Sequence, residues 1–186
     1  MPPKHLRLGM TLLAGTLVAT AGVIAIYQYR ARPRGYQALR VAVAQGDREK
    51  VLALLNGGLD AKAPLYSSLL VTAIQHSDDK MVELLLKHGA EPNEGSMAGT
   101  PLGAAAALNR TTTVALLLSA GAQPDLHGEG GAPLERAVEN CSMDAARLLI
   151  ERGARKLATL SDGVRTDACR RCPAIVQVAA PDAACH

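Results

Sequence analysis

Cys169-x-x-Cys172 is the sharpest chemical signal in the chain. With Cys141 and Cys185 it makes four thiols, three of them in the last 18 residues. A redox Cys-x-x-Cys normally follows a strand in a βαβ unit, and the sequence before this one shows no such unit. Cys169, Cys172, Cys185 and His186 form a conceivable zinc set. Adjacent residues 185 and 186 are awkward joint ligands, however, and zinc sites usually draw on a second well-spaced pair. Four cysteines permit three pairings. In an oxidising compartment they would staple the tail onto what precedes it, each closure worth roughly 2–4 kcal/mol. Cys141, Cys169, Cys172 and Cys185 are therefore disulfide candidates, with a thiol-redox or metal-binding module as the alternative.

The other reactive residue types form no constellation. His5, His76, His88, His127 and His186 are scattered, and none makes an H-E-x-x-H or pairs with a nucleophile. Gly128-Glu129-Gly130-Gly131 lacks the Lys-Ser/Thr that a phosphate loop needs. Asn109-Arg110-Thr111 and Asn140-Cys141-Ser142 match the glycosylation pattern, which is short enough to recur by chance. Paired carboxylates and Gly-x-Ser-x-Gly are missing. The sequence gives no catalytic residue, no cofactor and no metal site, and the chain is not expected to be an enzyme.

The elements that would position a site are repeats. Gly121-Ala122-Gln123-Pro124-Asp125 has a twin in Gly89-Ala90-Glu91-Pro92-Asn93. Gly153-Ala154-Arg155-Lys156-Leu157 and Gly58-Leu59-Asp60-Ala61-Lys62 are further copies, and the leading glycines lie 31, 32 and 32 residues apart. Before the last two of these glycines come Pro101 and Pro133, each suited to a first helical position, where a missing N–H costs nothing. Thr100 can cap its helix with a hydroxyl; Ala132, in the matching place, cannot. Second helices are expected over Lys80 to His88, Thr112 to Ala120 and Met143 to Arg152, each closed by a Gly able to take φ > 0. Runs such as Leu84-Leu85-Leu86 and Leu116-Leu117-Leu118 cannot be buried within one helix pair and need a neighbour.

Thr100-Pro101-Leu102-Gly103-Ala104-Ala105 resembles the T-P-L-H-x-A opening of an ankyrin repeat, whose period is about 33 residues. The resemblance covers residues 37–159 as four repeats, 37–63, 64–94, 95–127 and 128–159. It implies an all-α solenoid of helix-turn-helix units. The motif histidine is absent throughout: Arg40, Val71, Gly103 and Glu135 stand there. The resemblance also implies a protein partner, held by the finger tips and the exposed ends of the first helices. Mapped by register, those positions are Leu65, Tyr66, Ser67, Gln75 and His76 in the second repeat. They are Ser96, Met97, Gly99, Ala107 and Leu108 in the third, and Glu129, Gly131, Glu139 and Asn140 in the fourth. Leu65, Met97 and Leu108 would put apolar residues on an otherwise polar face, which marks interaction sites. No small-molecule substrate is implied.

Outside the repeats, residues 1–7 form a basic head. Leu8 to Tyr29 then runs 22 residues without a charge, enough to span a bilayer as a helix. Arg30, Arg32 and Arg34 stop it, and residues 30–36 read as a linker. Ala19-Thr20-Ala21 matches a signal-peptidase pattern, yet apolar residues continue past it, and a signal core is usually only 7–15 residues. Length therefore favours a retained anchor, so a single transmembrane helix is expected to precede the solenoid. Gly15, Ala19 and Gly22 share one face of it, a pattern common enough in membrane helices to need no partner. Net charge is +3, but residues 1–34 hold five basic and no acidic residues, leaving 15 − 17 = −2 for the rest. The positive charge flanks the apolar run and does not coat the repeats. With no Trp or Phe and four Tyr, a base-stacking platform is hard to build, which argues against nucleic acid.

Positive-inside counting mildly favours repeats in the cytoplasm. The cysteines and the short basic head before an apolar run point instead to export. The composition looks bacterial, with the repeats in the periplasm and the anchor in the inner membrane. Residues 160–186 do not continue the pattern and are expected to be irregular: a turn at Ser161-Asp162-Gly163, a helical turn over Asp167 to Cys172 stopped by Pro173, and a short apolar run from Ala174 to Val178. If the anchor is retained and the thiols are paired, protein from its native membrane has the full-length mass and takes up alkylating reagent only after reduction. A mass starting at Gly22 would discard the anchor.

Overall fold

The computed structural model describes residues 35–61, 68–76, 78–96, 99–155 and 162–181. These fold as a single file of helix pairs. Helix α1 covers residues 35–45. It is followed by α2 (Arg48–Asn56), α3 (Leu69–Gln75), α4 (Asp79–Lys87), α5 (Pro101–Ala107), α6 (Thr111–Ser119), α7 (Pro133–Glu139), α8 (Met143–Glu151), α9 (Asp162–Arg171) and α10 (Pro173–Ala179). Among the described residues no strand forms; two isolated antiparallel bridges, Ser96 with Gly99 and Gly128 with Gly131, close two short fingers. First helices stack on first helices and second on second: α3 on α5, α5 on α7, α4 on α6, α6 on α8.

The core repeats as columns. Leu39, Leu70, Leu102 and Leu134 occupy one register position and are all essentially inaccessible. So are Ala42, Ala73, Ala105 and Ala137 in a second, and Val51, Val82, Val114 and Ala146 in a third. Alanine in the second column lets neighbouring helices approach; the leucines fill what remains. Each buried Leu or Val contributes roughly 1.5–3 kcal/mol, whereas an exposed ion pair such as Lys87–Glu83 is screened by solvent and adds little. Column packing therefore dominates the array's stability. Of the leucine runs, Leu85 and Leu117 are fully buried, while Leu84, Leu86 and Leu118 pack partly buried on the core.

Helix ends follow the expected chemistry. Gly58, Gly89, Gly121 and Gly153 all have positive φ, between 86° and 95°. The next residue's N–H reaches back to a carbonyl five residues earlier in each unit, as in Ala122 to Leu117 at 2.9 Å and Ala154 to Leu149 at 2.9 Å, closing the helix in a Schellman turn. Thr100 accepts from the Gly103 N–H at 3.0 Å. Ala132 has no such group, and Glu135 compensates from the other side, its carboxylate accepting from the Ala132 N–H at 2.7 Å. Glu135 stands at a position the family fills with histidine, so here the substitute supplies half of a capping box.

Polar ties run from each unit to the next at two levels. At the turn between helices, Arg48 pairs with Asp78 at 3.3 Å and Arg110 with Asp79 at 2.9 Å. There too Asn109 accepts from the Ala145 N–H at 2.9 Å, and Ser142 donates to the Ala107 carbonyl at 2.9 Å. At the finger base, Asn93 accepts from the Gln123 N–H at 2.8 Å and donates to the Gly121 carbonyl at 3.1 Å. Asp125, one repeat on, accepts from the Arg155 N–H at 2.9 Å. The Asn or Asp that ends each Gly-Ala-x-Pro-Asn/Asp copy is thus a clamp on the following repeat.

Two expectations are corrected. Gly35 and Tyr36 belong to α1 and not to a linker, and Tyr36 joins the core. The tail is not irregular: α9 and α10 form a fifth helix pair, α9 packing on α7 and α10 on α8 and α7. Residues 162 and 163, expected in a turn, are helical, and Pro173 opens α10 where it was expected only to end a helix. A proline at the first helical position is compatible with either reading in sequence; burial of Ile175, Val176, Ala179 and Ala180 decides it. No helix among the described residues is long and apolar enough to cross a membrane; the expected anchor, residues 8–29, lies outside them.

The fingers stack backbone to backbone. A Cβ on Gly128 would sit 2.8 Å from the Thr100 nitrogen, and one on Gly99 would sit 2.9 Å from the Glu129 carbonyl oxygen. Neither contact can be relieved by turning a side chain. Gly128→Ala should therefore lower stability by about 1–3 kcal/mol, read as a fall in urea midpoint. An unchanged midpoint would mean the two fingers do not touch in solution.

Candidate protein-interaction surface

The surface along the first helices is set by the same register that builds the core. Counting from the leucine column, Val41, Thr72, Ala104 and Arg136 form one row, and Ala44, Gln75, Ala107 and Glu139 a second. Gln45, His76, Leu108 and Asn140 form a third. All twelve are exposed or half-buried. Across the first three repeats these rows carry no charge. Val41 is 47% exposed and Leu108 49%, and with Leu52 on α2 they are the exposed large hydrophobics among the described residues. Charge enters only at the fourth repeat, where Arg136 and Glu139 pair at 2.8 Å.

The positions expected from sequence distribute as follows. Gln75 and His76 are exposed at the end of α3, and Leu108 at the end of α5; Ala107 is half-buried beside it. Ser96 and Gly99 face each other across a finger through backbone hydrogen bonds of 2.9 and 2.8 Å. Glu129 is exposed at the turn of the next finger, and Gly131 closes that finger opposite Gly128. Glu139 is half-buried by Arg136, and the exposed Asn140 donates to the Arg136 carbonyl. Leu65, Tyr66, Ser67 and Met97 lie outside the described residues. The register therefore aligns Gln75, His76, Leu108, Glu139 and Asn140 along one side of the solenoid. It also adds Val41, Ala44, Thr72 and Ala104, which sequence mapping left out. The 31-residue step from Gly58 to Gly89 would have located Val41 opposite Thr72.

The thiols take a pairing that spacing alone left open. Cys172 bonds Cys141, with Cα atoms 5.7 Å apart and a sequence separation of 31. Cys169 is also disulfide-bonded, so Cys169 and Cys172 are not each other's partners. Cys185 lies outside the described residues. Cys141 has φ +56° in the turn between α7 and α8, the place taken by Asn109 (φ +53°) and Gly46 (φ +70°) in earlier repeats. A left-handed non-glycine residue is uncommon, and here the turn aims its side chain at the next helix pair. Among the described residues, no group of three or more His, Cys, Asp or Glu could hold a metal ion.

Glu94, half-buried at the base of the first finger, is held above the usual carboxylate range, mainly by burial and then by the nearby Glu91 charge. The folded state thus takes up its proton more readily than the unfolded chain, and stability falls as pH rises from the ordinary glutamate value of about 4.3 through the folded value. Glu94→Gln should therefore raise the thermal midpoint at pH 7, with the gain shrinking to nothing as pH drops below that value. A gain of equal size at pH 3 would rule out this origin.

No curated protein matches the chain. A family model for ankyrin repeats, in three copies, matches residues 39–127 and 70–159. That span contains the Leu39 to Leu134 column, both fingers and the surface rows through Asn140, and the chain belongs to the ankyrin-repeat family.

Proposed function

We propose that this ankyrin-repeat protein is a non-catalytic interaction module, tethered to a membrane by residues 8–29, that holds one partner protein against the concave side of its repeats. The observation that carries this reading is the uncharged band of the first helices, with Val41 and Leu108 exposed on it. Of the second helices, α2, α4 and α8 carry charges, such as the exposed Lys80, Glu83 and Lys87 of α4, while α6 carries none. Large apolar side chains left in water on one face cost free energy that a partner recovers. The paired Cys141–Cys172 supports a periplasmic setting, one of the oxidising compartments in which disulfides persist. Neutralising or protecting a cognate bacterial protein is a task that suits a small tethered binder. A thiol-redox or metal module on Cys169 and Cys172 is the weaker reading, because Cys172 is already committed to Cys141.

The test is site-specific photocrosslinking in native membranes. A crosslinker at position 108 or 76 should give one discrete adduct, and one at the convex Lys80 should not. Leu108→Asp should weaken recovery of that adduct about tenfold or more, as loss of an interface anchor does. Equal labelling from both faces, or none from the concave one, would defeat the proposal.

A further inference from the structure

The fifth helix pair differs from the four repeats in how it is held. At every earlier interface the turn between helices carries polar ties to the next unit: Arg48 to Asp78, Arg110 to Asp79, Asn109 to the Ala145 N–H. At the last interface Cys141 takes the register position of Asn109, and its partner Cys172 is the N-cap residue of α10. The covalent bond stands where the hydrogen bonds stood.

The pair is also weakly built otherwise. As a second helix α10 is short, seven residues against nine in α2, α4, α6 and α8, and its C-cap Ala180 is followed by Pro181, not by the left-handed glycine that follows the C-caps of those four. A helix this short is marginal without tertiary support. Among the side chains described, Ile175 and Val176 are the large ones it buries, beside Ala168 of α9 and Ala179 and Ala180. The fourth repeat, by comparison, buries Leu134, Val138 and Leu149, with Met143, Leu148 and Ile150 packed partly buried on the core. Terminal units of a stacked array have one neighbour instead of two and open first.

We propose that the Cys141–Cys172 disulfide is an oxidation-dependent latch that keeps the α9–α10 cap closed on the end of the array. A dithiol reductant delivers two electrons and two protons to the bond, leaving two thiols and becoming a disulfide itself. The cap then detaches, the four repeats stay folded, and the apolar α7–α8 face that α9 and α10 cover becomes accessible. The array thus has a complete C-terminal end only where thiols are oxidised.

The experiment is hydrogen exchange on the full-length chain, comparing wild type with the Cys141→Ser/Cys172→Ser double variant, which leaves Cys169 untouched. Closing a loop of 31 residues restricts the unlatched state by an amount worth about a hundredfold in the opening equilibrium. The Ala180 N–H, bonded to the Val176 carbonyl at 2.8 Å, and its neighbours in α10 should exchange about a hundredfold faster in the variant. Amides of α3 to α8 should be unchanged. Dithiothreitol also opens the Cys169 disulfide, so the second measurement treats wild type and double variant alike with it, and α10 should then exchange equally fast in the two. Full protection of α10 without the bond would overturn the latch, and so would loss of protection throughout α3 to α8, which would make the bond a general staple.

Discussion

Each helix pair in this protein has an apolar face that it cannot cover by itself, and every other feature answers to that. The first and second helices of one repeat are short, seven and nine residues in α5 and α6, and neither would persist alone in water. Only the next pair, laid in the same register, removes Leu102, Ala105, Val114 and Leu117 from solvent. Stability is therefore a sum of neighbour interfaces. The small residues of the array follow from the same demand. The alanine column lets helices approach, and Gly99 and Gly128 let one finger lie on the next where a Cβ would meet backbone.

Polar groups then set the register that apolar packing alone would leave loose. A column of leucines and alanines tolerates sliding; a hydrogen bond from the Gln123 N–H to Asn93 Oδ1 does not. These ties are individually worth about 1 kcal/mol, less than the columns they align. Their value lies in direction: each joins a residue to the unit one repeat away. The left-handed turn at Asn109 and Cys141 belongs to this scheme, since it turns a side chain out of its own repeat toward the following one. A hydrogen bond and a disulfide are two chemical solutions to one geometric task.

The exposed face of the first helices is what remains after the array has satisfied itself. Outward positions on the first helices carry little packing duty, Ala104 resting partly on the core, and in the first three repeats they include Val41, Thr72, Ala104, Gln75, Ala107, His76 and Leu108. The fourth repeat fills them with a closed ion pair, Arg136 and Glu139. The proposed binding side and the stabilising side are separated by register.

Periodicity made the repeats legible in the sequence alone. The glycine spacing, the Pro-Leu openings and the apolar stripes fix which residues face inward, because a helix of 3.6 residues per turn leaves little freedom once its apolar positions are known. The Thr100 cap and the helix-ending glycines were equally visible, being local chemistry. The fifth pair was not. Its apolar stripe, Ile175, Val176, Ala179 and Ala180, spans six residues, too few for a period to declare itself, and only packing against α7 and α8 makes it a helix. Nor could spacing choose among the pairings of four cysteines, since that depends on Cys141 and Cys172 being brought to 5.7 Å by a turn and a stacking step. Local sequence dictates what repeats; the end of an array, where there is no further repeat to compare, is decided by tertiary contact.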